Sequence, residues 1–513
     1  MPPKTIIYQL LPRLFGNVNP SCIPNGTMEE NGAGKFADIS ATLLTAIKRL
    51  GVTHIWLTGV LEHASTTDYS EYGMAPVAHC LVKGRAGSPY AIRDYYDVAP
   101  DLAVEVPNRM AEFSSLLNRC HDCGLRVLID FVPNHLFRQY ASDAKPAGVD
   151  DFGADNFYEL QGTHFILPVA GDYSEAPARA TGNDCFRPDP GLNDWYETVK
   201  LNYESKDTWV KMRDILSFWV DQGVDGFRCD MAEMVPTGFW AWTIPQIKAQ
   251  KEDTLFLGEI YKPEWYRAYV DSGFDYLYDK VGLYDTLRSV LRGERPASDI
   301  SRCWQNSGDF QPRMLHFLEN HDEQRIASDF FMGDGFKALP ALVVSACLNT
   351  APFMLYAGQE FGEKGMDAEG YSGLDGRTSI YDYWSVGSLR RWITKQQTES
   401  ERRLYDVYCG LFGQIAASPA LSWGATYDLG YANRDHHRFN PNKHVAFLRY
   451  APDKEEELVL IAVNFSDQPD DIEVRIPQHA YDYFGIKPRA WAHRINLLAW
   501  GWGIIRIPVK TAT

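Results

Sequence analysis

Four short apolar runs in this chain each lead to a carboxylate, and that pattern constrains the fold more than any other feature. Val127-Leu128-Ile129 ends in Asp130, and Gly226-Phe227-Arg228-Cys229 ends in Asp230. Leu255-Phe256-Leu257-Gly258 ends in Glu259, and Leu315-His316-Phe317-Leu318 runs through Glu319-Asn320-His321 to Asp322. A run of four to six apolar residues bounded by polar or turn residues reads as a buried parallel strand. If such strands close into a barrel, acids at their carboxyl ends converge on one mouth. Collecting that much negative charge is costly, so the set points to chemistry. An acid after a strand also reads as a helix N-cap, and for Asp130 taken alone the two readings stand level.

The rest of the chain supplies the barrel rhythm. Strand patterns fall at Ile6–Leu11, His54–Thr58, Val127–Phe131, Gly226–Asp230, Leu255–Glu259, Tyr276–Tyr278, Met314–Leu318 and Phe353–Tyr356. Amphipathic helical patterns lie between most of them, as at Ala41–Leu50 and Trp209–Val220. Eight strands alternating with helices predict a (β/α)8 barrel. Ordinary βα loops run ~2–6 residues, whereas Asn134 to about Tyr203 is long and rich in Gly, Pro, Asp and aromatics. It reads as an irregular domain inserted after the third strand. A second long loop, Gly358 to Trp384, is expected to overhang the same mouth. From residue 421 the pattern changes to strands at His444–Tyr450, Leu458–Phe465, Asp471–Ile476 and Trp502–Val509, an antiparallel β-sandwich. The expected layout is therefore barrel over 1–133 and 204–420, insert over 134–203 and sandwich over 421–513.

Composition excludes some partners. A formal charge of −17 repels phosphate backbones and anionic membranes, so neither nucleic acid nor membrane is expected as a partner. A neutral substrate meets no such barrier. The 14 Trp and 28 Tyr suit a chain that stacks rings, although core packing accounts for most of them. The nine Cys are scattered, and the C-x-x-C of Cys120 and Cys123 has no second pair to complete a zinc site. Scattered thiols and the lack of a signal-peptide h-region fit a cytoplasmic setting. A mature periplasmic or secreted form with its leader removed reads the same way.

These segments resemble the α-amylase family, glycoside hydrolase family 13, over the whole chain. Asp130-Phe131-Val132-Pro133-Asn134-His135 is similar to its first signature and Gly223-Val224-Asp225-Gly226-Phe227-Arg228-Cys229-Asp230 to its second. Gly258-Glu259 is similar to the third and Asn320-His321-Asp322 to the fourth. The resemblance implies Asp230 as nucleophile, Glu259 as general acid/base and Asp322 as the acid that holds the sugar's 2- and 3-hydroxyls. It implies Arg228 beside the nucleophile, His135 and His321 on the sugar, Tyr90 as an aromatic platform and Asp130 as a support. Oligo- or polysaccharide is then the expected partner, and the chemistry requires no cofactor. Retaining hydrolysis of this kind wants the two catalytic carboxyls ~5–5.5 Å apart. An adjacent guanidinium favours an ionised nucleophile, and burial favours a protonated acid.

The sequence departs from the family in places. Many members carry Lys and His three and four residues after the nucleophile, where this chain has Glu233 and Met234. Glu233 is taken as a substrate contact. The family's structural calcium would use Asn134 and the Met234 carbonyl, with Asp151, Asp155 or Asp184 completing the set. Those acids read equally as solvated loop residues. The loop carrying Asn17, Asn19, Asn25, Glu29, Glu30 and Asn31 is where some members hold a metal, but the usual alternating aspartates are absent. Gly59 replaces a common Pro and predicts a local backbone change; Gly358-Gln359-Glu360-Phe361-Gly362 matches the usual ending of the eighth strand. The leading expectation is a retaining hydrolase of α-glucosidic, chiefly α-1,4, bonds. A transglycosylase on the same scaffold and a non-catalytic binding relative are the alternatives.

Overall fold

The computed structural model describes residues 4–152, 164, 197–365, 373–452 and 457–509. Eight parallel strands close into a barrel: β1 Ile6–Leu10, β2 His54–Leu57, β3 Arg126–Phe131, β4 Gly226–Cys229, β5 Leu255–Gly258, β6 Tyr276–Tyr278, β7 Met314–Phe317 and β8 Phe353–Tyr356. Each strand pairs with its neighbours in the series, and β8 closes onto β1. The period-two alternation divides the core. Ile7, Trp56, Leu128, Leu257, Leu315 and Met354 pack together inside the barrel. Their sequence neighbours Tyr8, Ile55, Val127, Ile129, Phe256 and Leu355 join the larger core under the helices.

Helices cover the barrel where the apolar spacing predicts them. The helix Ala41–Lys48 starts at Ser40, whose side chain accepts the Leu43 N–H. The helix over Trp209–Val220 extends from Lys206 to Asp221 and buries Met212, Ile215, Leu216 and Trp219. Most of the insert lies outside the described residues. At its base His135–Phe137 pairs antiparallel with Thr198–Lys200, setting His135 opposite Lys200, so the excursion returns beside its own exit.

The C-terminal region is antiparallel, as expected. Ala425–Asp428, His444–Tyr450, Glu457–Asn464 and Trp502–Pro508 form one sheet, and Asp470–Arg475 pairs with Ala492–Leu497 in a second. Leu458, Leu460, Ile472, Val474, Tyr481 and Leu497 pack into their shared core. Two strands and the helix Gln478–Phe484 were not anticipated, because Ala425–Asp428 and Ala492–Leu497 offer few apolar residues to a pattern search. No helix among the described residues is long and apolar enough to cross a membrane.

The strand ends position the site. β4, β5 and β7 stop at Cys229, Gly258 and Phe317, short of the expected Asp230, Glu259 and Leu318. The ladder still anchors the acids: Asp230 N–H donates to Phe131 O (2.8 Å) and Glu259 N–H to Cys229 O (3.2 Å). Both carboxylates therefore leave rigid backbone at the barrel's carboxyl rim.

Candidate active site

Arg228 organises the rim. It faces Asp130 across the β3–β4 ladder and is wholly buried. Its Nη1 lies 2.5 Å from Asp230 Oδ1 and 3.6 Å from Asp130 Oδ1, and its Nη2 lies 2.9 Å from Glu259 Oε2. The Trp56 and Tyr90 rings each lie 5.3 Å from the guanidinium carbon and the Tyr278 ring 5.6 Å, an aromatic jacket that suits a buried cation. Tyr278 also accepts from Arg228 Nε at 3.2 Å. One cation thus faces three carboxylates, so this group of charges is net negative and buried.

That imbalance sets the proton inventory. Burial, followed by the nearby Glu259 and Asp130 charges, pushes Asp230 well above the usual carboxylate range, against the pull of Arg228. Burial also raises Asp130 to about 6. Adjacency to Arg228 alone predicts an ionised Asp230; the structure adds that desolvation outweighs that single neighbour. Interacting acids titrate as a set, and this set holds on to a proton. The Arg228 contact with Asp230, at 2.5 Å, is shorter than its 2.9 Å contact with Glu259, so the guanidinium favours negative charge on Asp230.

Met231 sharpens this geometry. It follows Asp230 in a left-handed conformation, with φ of 44°, which a non-glycine residue adopts only at a cost. The turn aims the Met231 N–H at Glu259 Oε2, 2.7 Å away. Tyr261 donates to the other oxygen, Oε1, at 2.7 Å. Asp230 uses Oδ1 on Arg228, and its Oδ2 accepts no hydrogen bond among the described residues.

A second chain of contacts runs through His321. Gln9 Nε2 reaches His321 Nδ1 at 2.8 Å, and His321 Nε2 lies 2.6 Å from Tyr90 Oη. With the Gln9 amide donating, the imidazole carries its proton on Nε2 and Tyr90 passes its own toward Asp130 Oδ1 (3.4 Å). Burial and Arg228 hold His321 down at about 3, so the ring stays neutral. Burial, with Lys200 and Lys83, does the same for His135. Gly59 donates its N–H to Asp130 Oδ2 at 3.2 Å from a φ of 73°. Proline supplies neither that angle nor that donor, which accounts for glycine here.

Asp230, Glu259, Asp322, Tyr90, His135 and His321 line one cavity of about 300 Å3, together with Lys83, Glu197, Tyr261, Ile380 and Tyr381. Asp322 keeps 45% of its side chain exposed, 3.1 Å from His321 Nε2. Arg228 and Asp130 lie beneath this lining. Glu233 is absent from it: its Oε2 accepts the Tyr261 backbone N–H at 2.8 Å. It therefore ties down the backbone of the tyrosine that donates to Glu259.

These acids match a wider family. The profile described as Alpha amylase, catalytic domain, matches residues 9–446. The chain belongs to the α-amylase family. It is 26% identical over 371 residues to the alpha-amylase MalA of Haloarcula japonica, covering 70% of this chain and 44% of that protein. It is 23% identical over 396 residues to a cyclomaltodextrin glucanotransferase of a Bacillus species, covering 71% and 50%. The match thus spans about half the length of these relatives. Among solved structures, the α-amylase of Geobacillus thermoleovorans in complex with acarbose superposes with a TM-score of 0.68 at 17% identity, covering 99% of each chain.

The family's calcium ligand is otherwise engaged in this chain. Asn134 Oδ1 accepts from Lys200 Nζ at 2.6 Å. Burial lowers Lys200 to about 8. An ammonium on the amide oxygen competes directly with a cation at that ligand. Of the proposed companions, Asp151 accepts from Tyr140 Oη, while Asp155 and Asp184 lie outside the described residues. In the first-strand loop Asn17 and Asn31 spend their amides on backbone partners, and Glu30 caps Thr27. Among the described residues one trio of acids converges, Glu62, Asp94 and Asp143; Arg93 and Arg109 stand against it as counter-ions. Cys120 and Cys123 are free thiols.

Sequence reading missed Met231, Tyr261, Gln9 and Lys200. Tyr261 had a findable signal, since it sits two residues beyond Glu259, in register with it. The left-handed Met231 and the Lys200–Asn134 contact had none.

Proposed function

We propose that this α-amylase-family chain is a retaining glycoside hydrolase acting on α-glucosidic, chiefly α-1,4, bonds of starch-type oligosaccharides. One observation carries the reading: a single buried guanidinium holds Asp230 and Glu259 side by side at one cavity, with Asp230 Oδ2 free. Two carboxylates sharing one guanidinium suit the ~5–5.5 Å separation of retaining enzymes better than the ~6.5–9.5 Å of inverting ones.

In this reading Tyr90 stacks under the sugar ring while Asp322, His135 and His321 hold its hydroxyls. Glu259 gives its proton to the glycosidic oxygen as that bond to C1 breaks. Asp230 Oδ2 attacks C1 and forms a glycosyl ester. The positive charge that develops on the ring lies over the buried carboxylates, which stabilise it. Glu259, now ionised, takes a proton from water as the water oxygen displaces Asp230. Protons and charge balance over the two steps, and the chain's own residues carry every one of them. Lys200 fills the cation's role against Asn134, so the fold takes its positive charge there from a side chain.

The second reading, glycosyl transfer, gains support from the acceptor side. Met231, Tyr261 and Tyr381 line the cavity there without a lysine at residue 233, so a sugar hydroxyl competes with water on an apolar surface. Product analysis separates the two: reducing sugars alone mark hydrolysis, and lengthened chains with excess acceptor mark transfer. For either reading, Asp230→Asn and Glu259→Gln are each expected to cut turnover of maltooligosaccharides at least about a thousandfold. Unchanged turnover in either variant ends both.

A further inference from the structure

A second, larger cavity lies elsewhere. A groove of about 640 Å3 lies between the barrel and the C-terminal sheets. Gln311 and Pro312 lie just before β7, and Asn349 and Thr350 just before β8, so the groove opens at the amino ends of the strands. The catalytic acids stand at the carboxyl ends. The two openings therefore occupy opposite faces of the barrel.

The lining of the groove is largely aromatic and carries a single ionisable acid. Trp304, Trp423, Tyr427, Tyr431 and Tyr483 form its walls. Ring centroids of Tyr427 and Tyr483 are 5.2 Å apart and those of Tyr427 and Tyr431 6.3 Å apart, which makes one continuous strip. Tyr431 is 52% exposed and Tyr483 58%. Aromatic faces kept in water at this scale mark a binding surface more often than a core. The Tyr431 hydroxyl is tied to Tyr427 Oη at 2.7 Å and to His479 Nε2, so the ring is held in place before any ligand arrives.

Charge decides the occupant. No lysine or arginine lines the groove, and its one acid, Asp428, is spent internally on Ser301, Gly430 and Gln305. A polyanion or a charged peptide finds nothing to pair with. Among the described residues neither the Trp304 nor the Trp423 indole N–H donates within the chain. Flat apolar faces edged by unspent N–H donors match the C–H faces and hydroxyl rims of pyranose rings. We propose that this groove binds a neutral α-glucan chain, holding polymer on the face opposite the catalytic cavity. The ligand class rests on the α-glucan reading of the active site; the groove and its chemistry do not.

The test separates the two claims. Adsorption to insoluble starch is measured for the wild type, Asp230→Asn, Tyr431→Ala/Tyr483→Ala and Tyr431→Phe/Tyr483→Phe. Each is also assayed on a short soluble chromogenic α-maltoside, and size-exclusion chromatography gives the oligomeric state without glucan. The proposal predicts that wild type and Asp230→Asn adsorb alike. The alanine pair should lose about tenfold or more in adsorption with an unchanged rate on the short substrate, which also reports an intact fold. The phenylalanine pair should stay near wild type. An alanine pair that adsorbs normally, or a wild type that does not adsorb, overturns the proposal. So does a shift from dimer to monomer in the alanine pair, which would give the groove to a second copy of the chain. A wild type that adsorbs but cleaves no α-glucan sinks the catalytic reading and leaves the groove standing.

Discussion

Arg325 and Arg228 are both buried and both hold carboxylates, and they do opposite things. Arg325 lies 2.9 Å from Glu319, with both side chains 1% exposed. It also donates to Ala357 O and Thr378 Oγ1 and covers the Tyr356 ring, while the second Glu319 oxygen accepts the Ile326 N–H. Both carboxylate oxygens are used and both are buried. Arg228 is equally buried, yet it leaves Asp230 Oδ2 unspent at an open cavity. Burial raises both Glu319 and Asp230. A perturbed carboxylate is therefore not by itself a catalytic one. The difference lies in whether an oxygen remains available to a ligand.

The comparison predicts a double dissociation. Asp230→Asn should abolish turnover while leaving the melting temperature unchanged or higher. The sign follows from the counter-charge that remains: Arg228 still faces Asp130 and Glu259 when Asp230 is neutralised, and the raised Asp230 carboxyl contributes stability that is lost as pH rises through its folded value. At neutral pH a neutral amide therefore relieves a burden. Glu319→Gln should do the reverse, costing about 3–5 kcal/mol by stranding Arg325, with kcat retained wherever the protein stays folded. Parallel melting and turnover curves for the two variants would erase the distinction.

Smaller effects sharpen the picture. Tyr261→Phe removes the hydroxyl from Glu259 Oε1 and should slow turnover about ten- to a hundredfold, with stability nearly unchanged. A loss in stability that matches the loss in rate would make Tyr261 structural. Gly59→Ala forces a side chain into φ of 73° and brings its Cβ within 2.9 Å of Leu11. A drop of about 1–2 kcal/mol in stability is expected, read by denaturant unfolding. Asp130→Asn should move the acidic limb of the kcat/KM profile downward by about half a unit to one unit, because the Asp130 charge raises Asp230. A limb that stays fixed or moves upward would remove Asp130 from the coupled set.

Barrel and acids were legible because they are local. Each apolar run, its glycine and its terminal acid sit within a few residues, so periodicity and motif suffice. The supports were less legible because they are made across the fold. Gln9 meets His321 and Lys200 meets Asn134 only when β1 faces β7 and the insert returns to its exit. Glu233 has a suitable charge in a suitable place, and its contact with the Tyr261 N–H, 28 residues away, is likewise made across the fold. Glu319 sits three residues from Asp322 and nothing in the string tells them apart. The aromatic groove is drawn from separate segments between Trp304 and Tyr483, with no motif to announce it.

The sharpest test of Asp230 as nucleophile is covalent trapping. The protein is incubated with a fluorinated α-glucosyl donor whose ester hydrolyses slowly, digested, and its peptides are read by mass spectrometry. The account predicts one added hexosyl unit on the peptide containing Asp230, absent in Asp230→Asn. A hexosyl label on any other carboxylate, or turnover of the donor to a β-configured product with no label, would contradict it.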